Sequence, residues 1–328
     1  LSIFCQNDFL WSAFWNASGA FGCYPVNSLD NDFYSFGFYS FKWRAEMTKT
    51  KAWGDLLPRL VPDRMTIKPR EQGLTMVLDK GQGLLATEDL LDLAGDHIDY
   101  IKLSFGTSFL MDEAVLRRKI ELIRTYQIDV FPGGTLMEAT LVQGVYPEYV
   151  QRAKELGFTT LEISDGTINM SRQTRDECIK RALDAGLKVI SEAGKKDPEI
   201  YLSPAQICDQ IAGDLSVGAD KAIIEARESG KGIGIYDNEG ALREDVRQAI
   251  LSCLGDSRGD VIWEAPLKNQ QTALILRCGP NVSLGNIQPN DVLGLEALRC
   301  GLRFDTLQHL VPQPELAAMG DELPVNLY

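Results

Sequence analysis

From Leu74 onward the chain repeats one unit: a short β-branched run, a polar or glycine-rich loop, then an amphipathic stretch closing near glycine. Eight such units in a row, with no hairpin signal between them, predict a single α/β domain built as a (β/α)8 TIM barrel. Each run is apolar on both faces, as parallel strands covered by helices are. An open doubly wound sheet would use the same units, and the count of eight favours the closed form.

The predicted strands are Leu74–Asp79, Tyr100–Phe105, Asp129–Pro132, Thr160–Asp165, Lys188–Ala193, Lys221–Ala226, Val261–Pro266 and Val282–Ile287. Their starts lie 21 to 40 residues apart, the length of a βα unit. Between them, Asp112–Gln127 carries Leu116, Ile120 and Ile123 as a core-facing stripe. Ser203 is a natural N-cap, with Pro204 at the first helical position and Ile207, Ile211 and Leu215 on one face before Gly218. Another helix runs from Ser171 to Gly186, and further ones are expected near 88–95, 146–156, 242–254, 268–278 and 289–302.

Composition bounds the partners. The 328 residues are 45% hydrophobic and 24% charged, enough apolar matter for one large core. A net charge of -13 argues against nucleic-acid binding, and no apolar run reaches membrane-spanning length. The seven cysteines lack any C-x-x-C pair and read as free thiols of a reducing, cytoplasmic setting. Two histidines, His97 and His309, exclude a His-rich zinc site.

Residues 1–46 stand apart. They hold 14 of the 28 aromatics, show no steady helical or strand period, and contain no methionine before Met47. They are expected to be an extension outside the native fold, such as upstream sequence translated in frame; an aromatic docking arm or organellar extension is the alternative. Residues 47–67 then form a lead-in, 68–307 the barrel, and 308–328 a flexible tail.

The chemistry gathers at the C-terminal strand ends, where barrels of this kind place their sites. Asp79, Lys102, Glu162, Glu192, Glu225 and Glu264 all fall late in their strands. Acids on five of eight strands repel one another unless lysines or a hard divalent cation such as Mg2+ stand among them. The stretch Glu192-Ala-Gly-Lys-Lys-Asp197 sets two lysines beside such an acid; neighbouring ammonium groups lower each other's pKa and suit proton transfer. Lys80, Arg227, Lys231 and Lys268 add cations, and Arg227-Glu-Ser-Gly-Lys-Gly-Ile-Gly234 is a loop able to cradle an anion. Ser283-Leu-Gly-Asn-Ile287 precedes a helix opening at Pro289, a second place for phosphate, and Pro132-Gly-Gly-Thr135 makes a sharp turn.

Taken in order, Lys68-Pro-Arg-Glu, Leu78-Asp-Lys-Gly81, Lys102 with Gly106-Thr-Ser108, Pro132-Gly-Gly-Thr-Leu136, Glu162-Ile-Ser-Asp-Gly166, Glu192-Ala-Gly-Lys-Lys-Asp197, Ile224-Glu-Ala-Arg-Glu-Ser-Gly-Lys-Gly232, Glu264-Ala-Pro-Leu-Lys268, Leu284-Gly-Asn-Ile287 and Leu302-Arg-Phe-Asp-Thr306 resemble the phosphosulfolactate synthase family. Ala193 departs from the usual E-V-G-K-K, and Phe304 stands where glycine or serine is more common. The resemblance implies a carbon–sulfur lyase with Mg2+ as cofactor and phosphoenolpyruvate and sulfite as substrates, acting as a homo-oligomer. In methanogens such a product leads to coenzyme M.

On the family pattern Lys196 is the general acid, with Lys195 beside it as charge tuner. Lys102 would anchor the substrate carboxylate, while Arg227, Lys231, Lys80 and the Gly285–Asn286 backbone would hold phosphate and sulfonate. Glu192, Glu225 and Asp79 would take the metal. The competing expectations are a Schiff-base barrel lyase or aldolase, and a non-catalytic stress-tolerance protein, since plant relatives are associated with heat tolerance.

Overall fold

The computed structural model describes residues 11–15, 21–25, 52–54, 56, and 59–310 without 198. Two units make up the chain, Leu1–Leu57 and Pro58–Tyr328. In the first, where the sequence shows no steady period, β1 (Trp11–Trp15) pairs antiparallel with β2 (Phe21–Pro25). The rest of the expected extension, and tail residues 311–328, lie outside the described residues.

The second unit alternates strand and helix as expected. Its strands are β3 (Thr75–Asp79), β4 (Tyr100–Leu103), β5 (Asp129–Pro132), β6 (Thr160–Ile163), β7 (Lys188–Ala193), β8 (Lys221–Ile224), β9 (Val261–Glu264) and β10 (Ser283–Ile287). They form one parallel sheet in the order β5-β4-β3-β10-β9-β8-β7-β6. The seam between β5 and β6 closes through Thr159, whose N–H donates to Val130 O at 3.2 Å. Its hydroxyl accepts from Val130 N–H at 2.9 Å, so the ring is a barrel rather than an open sheet.

Outside the strands run α1 (Leu84–Ala94), α2 (Glu113–Thr125), α3 (Gly134–Val142), α4 (Tyr146–Leu156), α5 (Arg172–Asp184), α6 (Pro204–Val217), α7 (Glu244–Leu254), α8 (Lys268–Cys278), α9 (Val292–Arg299) and α10 (Phe304–Leu310). The caps follow the sequence: Ser203 and Gln206 make a reciprocal capping box on α6, and Gly218 ends it in the left-handed region. Helix α3 begins directly at the Pro132-Gly-Gly turn, where no helix was expected. Helix α10 likewise carries ordered chain as far as Leu310.

Alternation along each strand sorts side chains into two cores. Val77, Ile101, Leu103, Val189, Ile224 and Trp263 face the helices. Leu74, Met76, Tyr100, Phe131, Ile190, Ile223 and Ile262 fill the barrel as an apolar plug. Each such side chain contributes about 1.5–3 kcal/mol on burial, and together they form a dry floor beneath the strand ends.

The N-terminal end of the barrel is closed by ion pairs. Arg64 meets Glu296 at 2.7 Å and Arg70 meets Asp99 at 2.8 Å. Arg299 donates to the Pro280, Val282 and Leu74 carbonyls. One expectation is corrected here. Cys208 on α6 and Cys253 on α7 form a disulfide, while Cys178 and Cys278 are free thiols. The two bonded residues lie 45 apart on neighbouring helices, so no short spacing announces them.

Candidate active site

Above the apolar plug, the inward position of the next layer is charged on five strands. Lys102 from β4 stands at its centre, 2.9 Å from Glu162 Oε1, 3.0 Å from Glu192 Oε2 and 3.7 Å from Glu264 Oε1. Lys196 covers the layer from the mouth, with Nζ 2.9 Å from Glu192 Oε1, 3.6 Å from Glu225 Oε2 and 3.8 Å from Glu138 Oε1. Its side chain keeps 26% exposure where those of Glu192 and Glu225 keep 1% and 2%. Lys196 is therefore the member of this cluster that meets an incoming molecule.

Four strand-end carboxylates face two ammonium groups, and the imbalance shows in their protonation. Burial pushes Glu192 upward, but Lys102 and Lys196 outweigh it and hold this carboxylate well below its usual range. Glu162 and Glu225 are raised well above theirs, first by burial and then by Glu192. Burial also raises Glu264. Lys196 is pulled down by burial, yet Glu192, Glu225 and Glu162 reverse that and keep it charged above the normal lysine range. The same balance raises Lys102.

The chain reaches this geometry through glycines. Gly194 has φ +137°, and a Cβ there would lie 2.6 Å from Glu225 Cβ, so only glycine lets β7 turn out against β8. A Cβ on Gly134 would lie 2.5 Å from Ser164 Cβ. Pro132-Gly-Gly-Thr135 thus lets α3 pack against the end of β6 and carry Glu138 into the site. Glu138 accepts from Ser164 Oγ at 2.7 Å and from the Thr167 and Ile168 N–H groups.

Several expected roles change. Lys195 turns away from Lys196 and donates to Asp165 O, Asp165 Oδ2 and Ile168 O. It does not depress its neighbour, because the carboxylates around Lys196 dominate. Lys102 points its ammonium at three carboxylates, Glu162, Glu192 and Glu264, as their internal counter-ion. Asp79 faces Lys119 of α2 at 2.5 Å and accepts from the Gly81 and Gln82 N–H groups, so it braces the loop after β3. Lys268 leaves the mouth for Asp305 at 2.6 Å.

Arg227, Lys231 and Lys80 stay on exposed loops at the rim. Arg227 takes a left-handed φ of 58°, its N–H donates to Glu225 Oε1, and its guanidinium reaches Lys196 O at 3.4 Å. Lys80 pairs with Glu228 at 3.1 Å across two loops. Gly285 lies against Met76, where a Cβ would come within 2.5 Å of the methyl. Asn286, buried with φ 56°, donates to Arg227 O at 3.4 Å and leaves its Oδ1 unpartnered. Two cavities open here. One of about 180 Å³ is bordered by Gly194, Lys195, Glu225 and Arg243, the other of about 310 Å³ by Lys80, Gly81, Gln82 and Gln288.

Glu138, Ser164, Asp165 and Arg175 escape the sequence reading. Only Ser164 and Asp165 carry a signal, being next to Glu162 at a strand end; Glu138 and Arg175 sit within ordinary helical patterns.

Residues 63–305 match the family model of (2R)-phospho-3-sulfolactate synthase. A phosphosulfolactate synthase of Methanothermobacter thermautotrophicus is 44% identical over 73% of this chain and 93% of its own. One from Methanocaldococcus jannaschii is 43% identical over 72% and 94%. One from Bacillus subtilis is 38% identical over 74% and 94%. The model spans the whole charged layer, and all three relatives are enzymes of one name, which favours catalysis over a non-catalytic reading. The chain belongs to the phosphosulfolactate synthase family of enzymes.

Proposed function

We propose that this enzyme adds sulfite to phosphoenolpyruvate, giving (2R)-phospho-3-sulfolactate, with Lys196 as the proton donor. The observation that carries the reading is the partial exposure of the Lys196 ammonium above an otherwise buried carboxylate ring. The sulfur lone pair forms a bond to C3 of phosphoenolpyruvate, and the C2–C3 π electrons move onto C2 and its carboxylate. Lys196 Nζ then delivers its proton to C2. Its raised pKa is no obstacle, since the carbon it protonates is far more basic than an amine. Solvent at the mouth returns the proton. The alternative acid, Lys195, is occupied by Asp165 and Ile168.

The buried carboxylates are the oxygen donors we assign to a hard divalent cation. Glu162 Oε2 and Glu225 Oε2 are buried without a hydrogen-bond partner, and an all-oxygen donor set suits Mg2+. Glu225, Glu192 and Glu162 are the residues we assign to hold it. Such a cation, when bound, supplies a positive charge to stabilise the enediolate character of the substrate carboxylate. Arg227 and Lys231, with the backbone at Gly285 and Asn286, are assigned to phosphate and sulfonate, and Lys80 to the outer rim.

The test is direct: the chain is given phosphoenolpyruvate and sulfite with and without Mg2+, beside Lys196→Ala. Metal-dependent product that vanishes in the variant is expected. Undiminished product in the variant would move the acid elsewhere, and no product from folded protein would overturn the reaction.

A further inference from the structure

We propose that Arg175 is a positioning residue for Lys196, acting through Asp165 and Lys195; this rests on Lys196 being the proton donor.

Strand β7 ends at Ala193, and the chain beyond it has no regular structure to aim Lys196. Two sets of bonds fasten it. Lys196 N–H donates to Gly166 O at 2.9 Å, and the Lys195 ammonium grips Asp165 O, Asp165 Oδ2 and Ile168 O at 2.6, 2.9 and 2.9 Å. With the Lys195 ammonium held by Asp165 and Ile168, the backbone that carries Lys196 is fixed on the side of the carboxylates.

Asp165 is itself held. Its Oδ1 accepts from Arg175 Nη1 at 3.0 Å and from Gln210 Nε2 at 3.1 Å. Arg175, buried to 3%, is the hub. Its Nη2 donates to Glu192 O at 2.9 Å and Ile163 O at 3.3 Å, joining the ends of β7 and β6. Its Nε and Nη2 also fork onto Asp214 of α6 at 2.7–3.0 Å, and Arg172 takes the same carboxylate at 2.7 Å. One planar guanidinium thus fixes the strand end that bears Glu192 and, through Asp165, the loop that bears Lys196. A lysine has neither the fork nor the reach for these partners.

The expected consequence is specific to Lys196. Its ammonium is faced by Glu192, Glu225 and Glu162 from three strands and by Glu138 from α3, with Lys102 below. Displaced from them, it loses its aim. We expect Arg175→Met and Lys195→Met to lower kcat about 10–100-fold while KM for phosphoenolpyruvate stays within about 3-fold. Acylation of Lys196 by an amine-reactive ester, followed by mass spectrometry, should change at least about 3-fold in both, because the partly exposed side chain leaves its place over the carboxylates. Thermal unfolding establishes that each variant is folded, and Lys195→Met decides the matter if Arg175→Met is not. A folded variant with wild-type kcat and wild-type Lys196 labelling overturns the inference. Activity surviving in Lys196→Met would instead sink the proton-donor reading. The labelling comparison would still report whether Arg175 positions Lys196.

Discussion

The two ends of the barrel both bury ion pairs, and they use them differently. At the N-terminal end two guanidiniums each fork onto a carboxylate, Arg64 onto Glu296 at 3.0 and 2.7 Å and Arg70 onto Asp99 at 3.0 and 2.8 Å, while Arg299 is met by carbonyls. At the C-terminal end carboxylates outnumber ammonium groups, and Glu162 and Glu225 keep oxygens without partners. Forked one-to-one pairing at the N-terminal end ties the closing segments to the barrel. At the C-terminal end burial, with Glu192 beside them, raises the Glu162 and Glu225 pKa values, as at a site built for chemistry rather than for stability.

The sharpest way to break this contrast is to exchange the lesions. Lys196→Met should lower turnover about 10²–10⁴-fold with a much smaller loss of stability. Arg64→Ala should do the reverse. Leaving Glu296 buried and unpaired should cost about 3–5 kcal/mol in denaturant unfolding, with kcat of the folded fraction unchanged. A mutant at either end that damaged both properties equally would erase the distinction.

Their pH responses should also oppose each other. Burial raises Glu296 but Arg64 outweighs it, holding it at about 2 against an ordinary 4.5. Its contribution is present above pH 4.5 and is lost as pH falls toward 2, roughly 3 kcal/mol at most. Glu162 and Glu225 are raised instead, so their contribution to the metal-free fold is complete at low pH and fades as pH rises through their folded values. On the proposed assignment Mg2+ would have to displace those protons. Calorimetry in buffers of different ionisation enthalpy should therefore show proton release on Mg2+ binding, and affinity that weakens as pH falls. Affinity independent of pH would contradict the raised carboxylates.

The smallest effect belongs to the rim. Lys80 and Glu228 are about half exposed. A double-mutant cycle should give less than about 1 kcal/mol of coupling, vanishing in high salt.

The barrel was legible because its eight runs and its caps are local signals; Ser203, Pro204 and Gly218 bound α6 as they read. Glu162, Glu192, Glu225 and Glu264 were legible as strand-end acids for the same reason. Failures came where the deciding partner is remote. Asp79 cannot be told from a metal ligand until Lys119, forty residues on, is seen beside it. Lys195 reads as a charge tuner of Lys196 until Asp165 is seen to claim it. Glu138 rides on α3, whose start hides behind a Gly-Gly turn. Cys208 and Cys253 are neighbours only once α6 and α7 are packed.

The central claim is that Lys196 delivers a proton to C2. Running the reaction in deuterium oxide and reading C2 of the product by NMR tests it most directly. Wild type should place one deuterium on a single face of C2, and Lys196→Met should form almost no such product. Lys196→Met that still deuterates the same face at an undiminished rate would contradict the account.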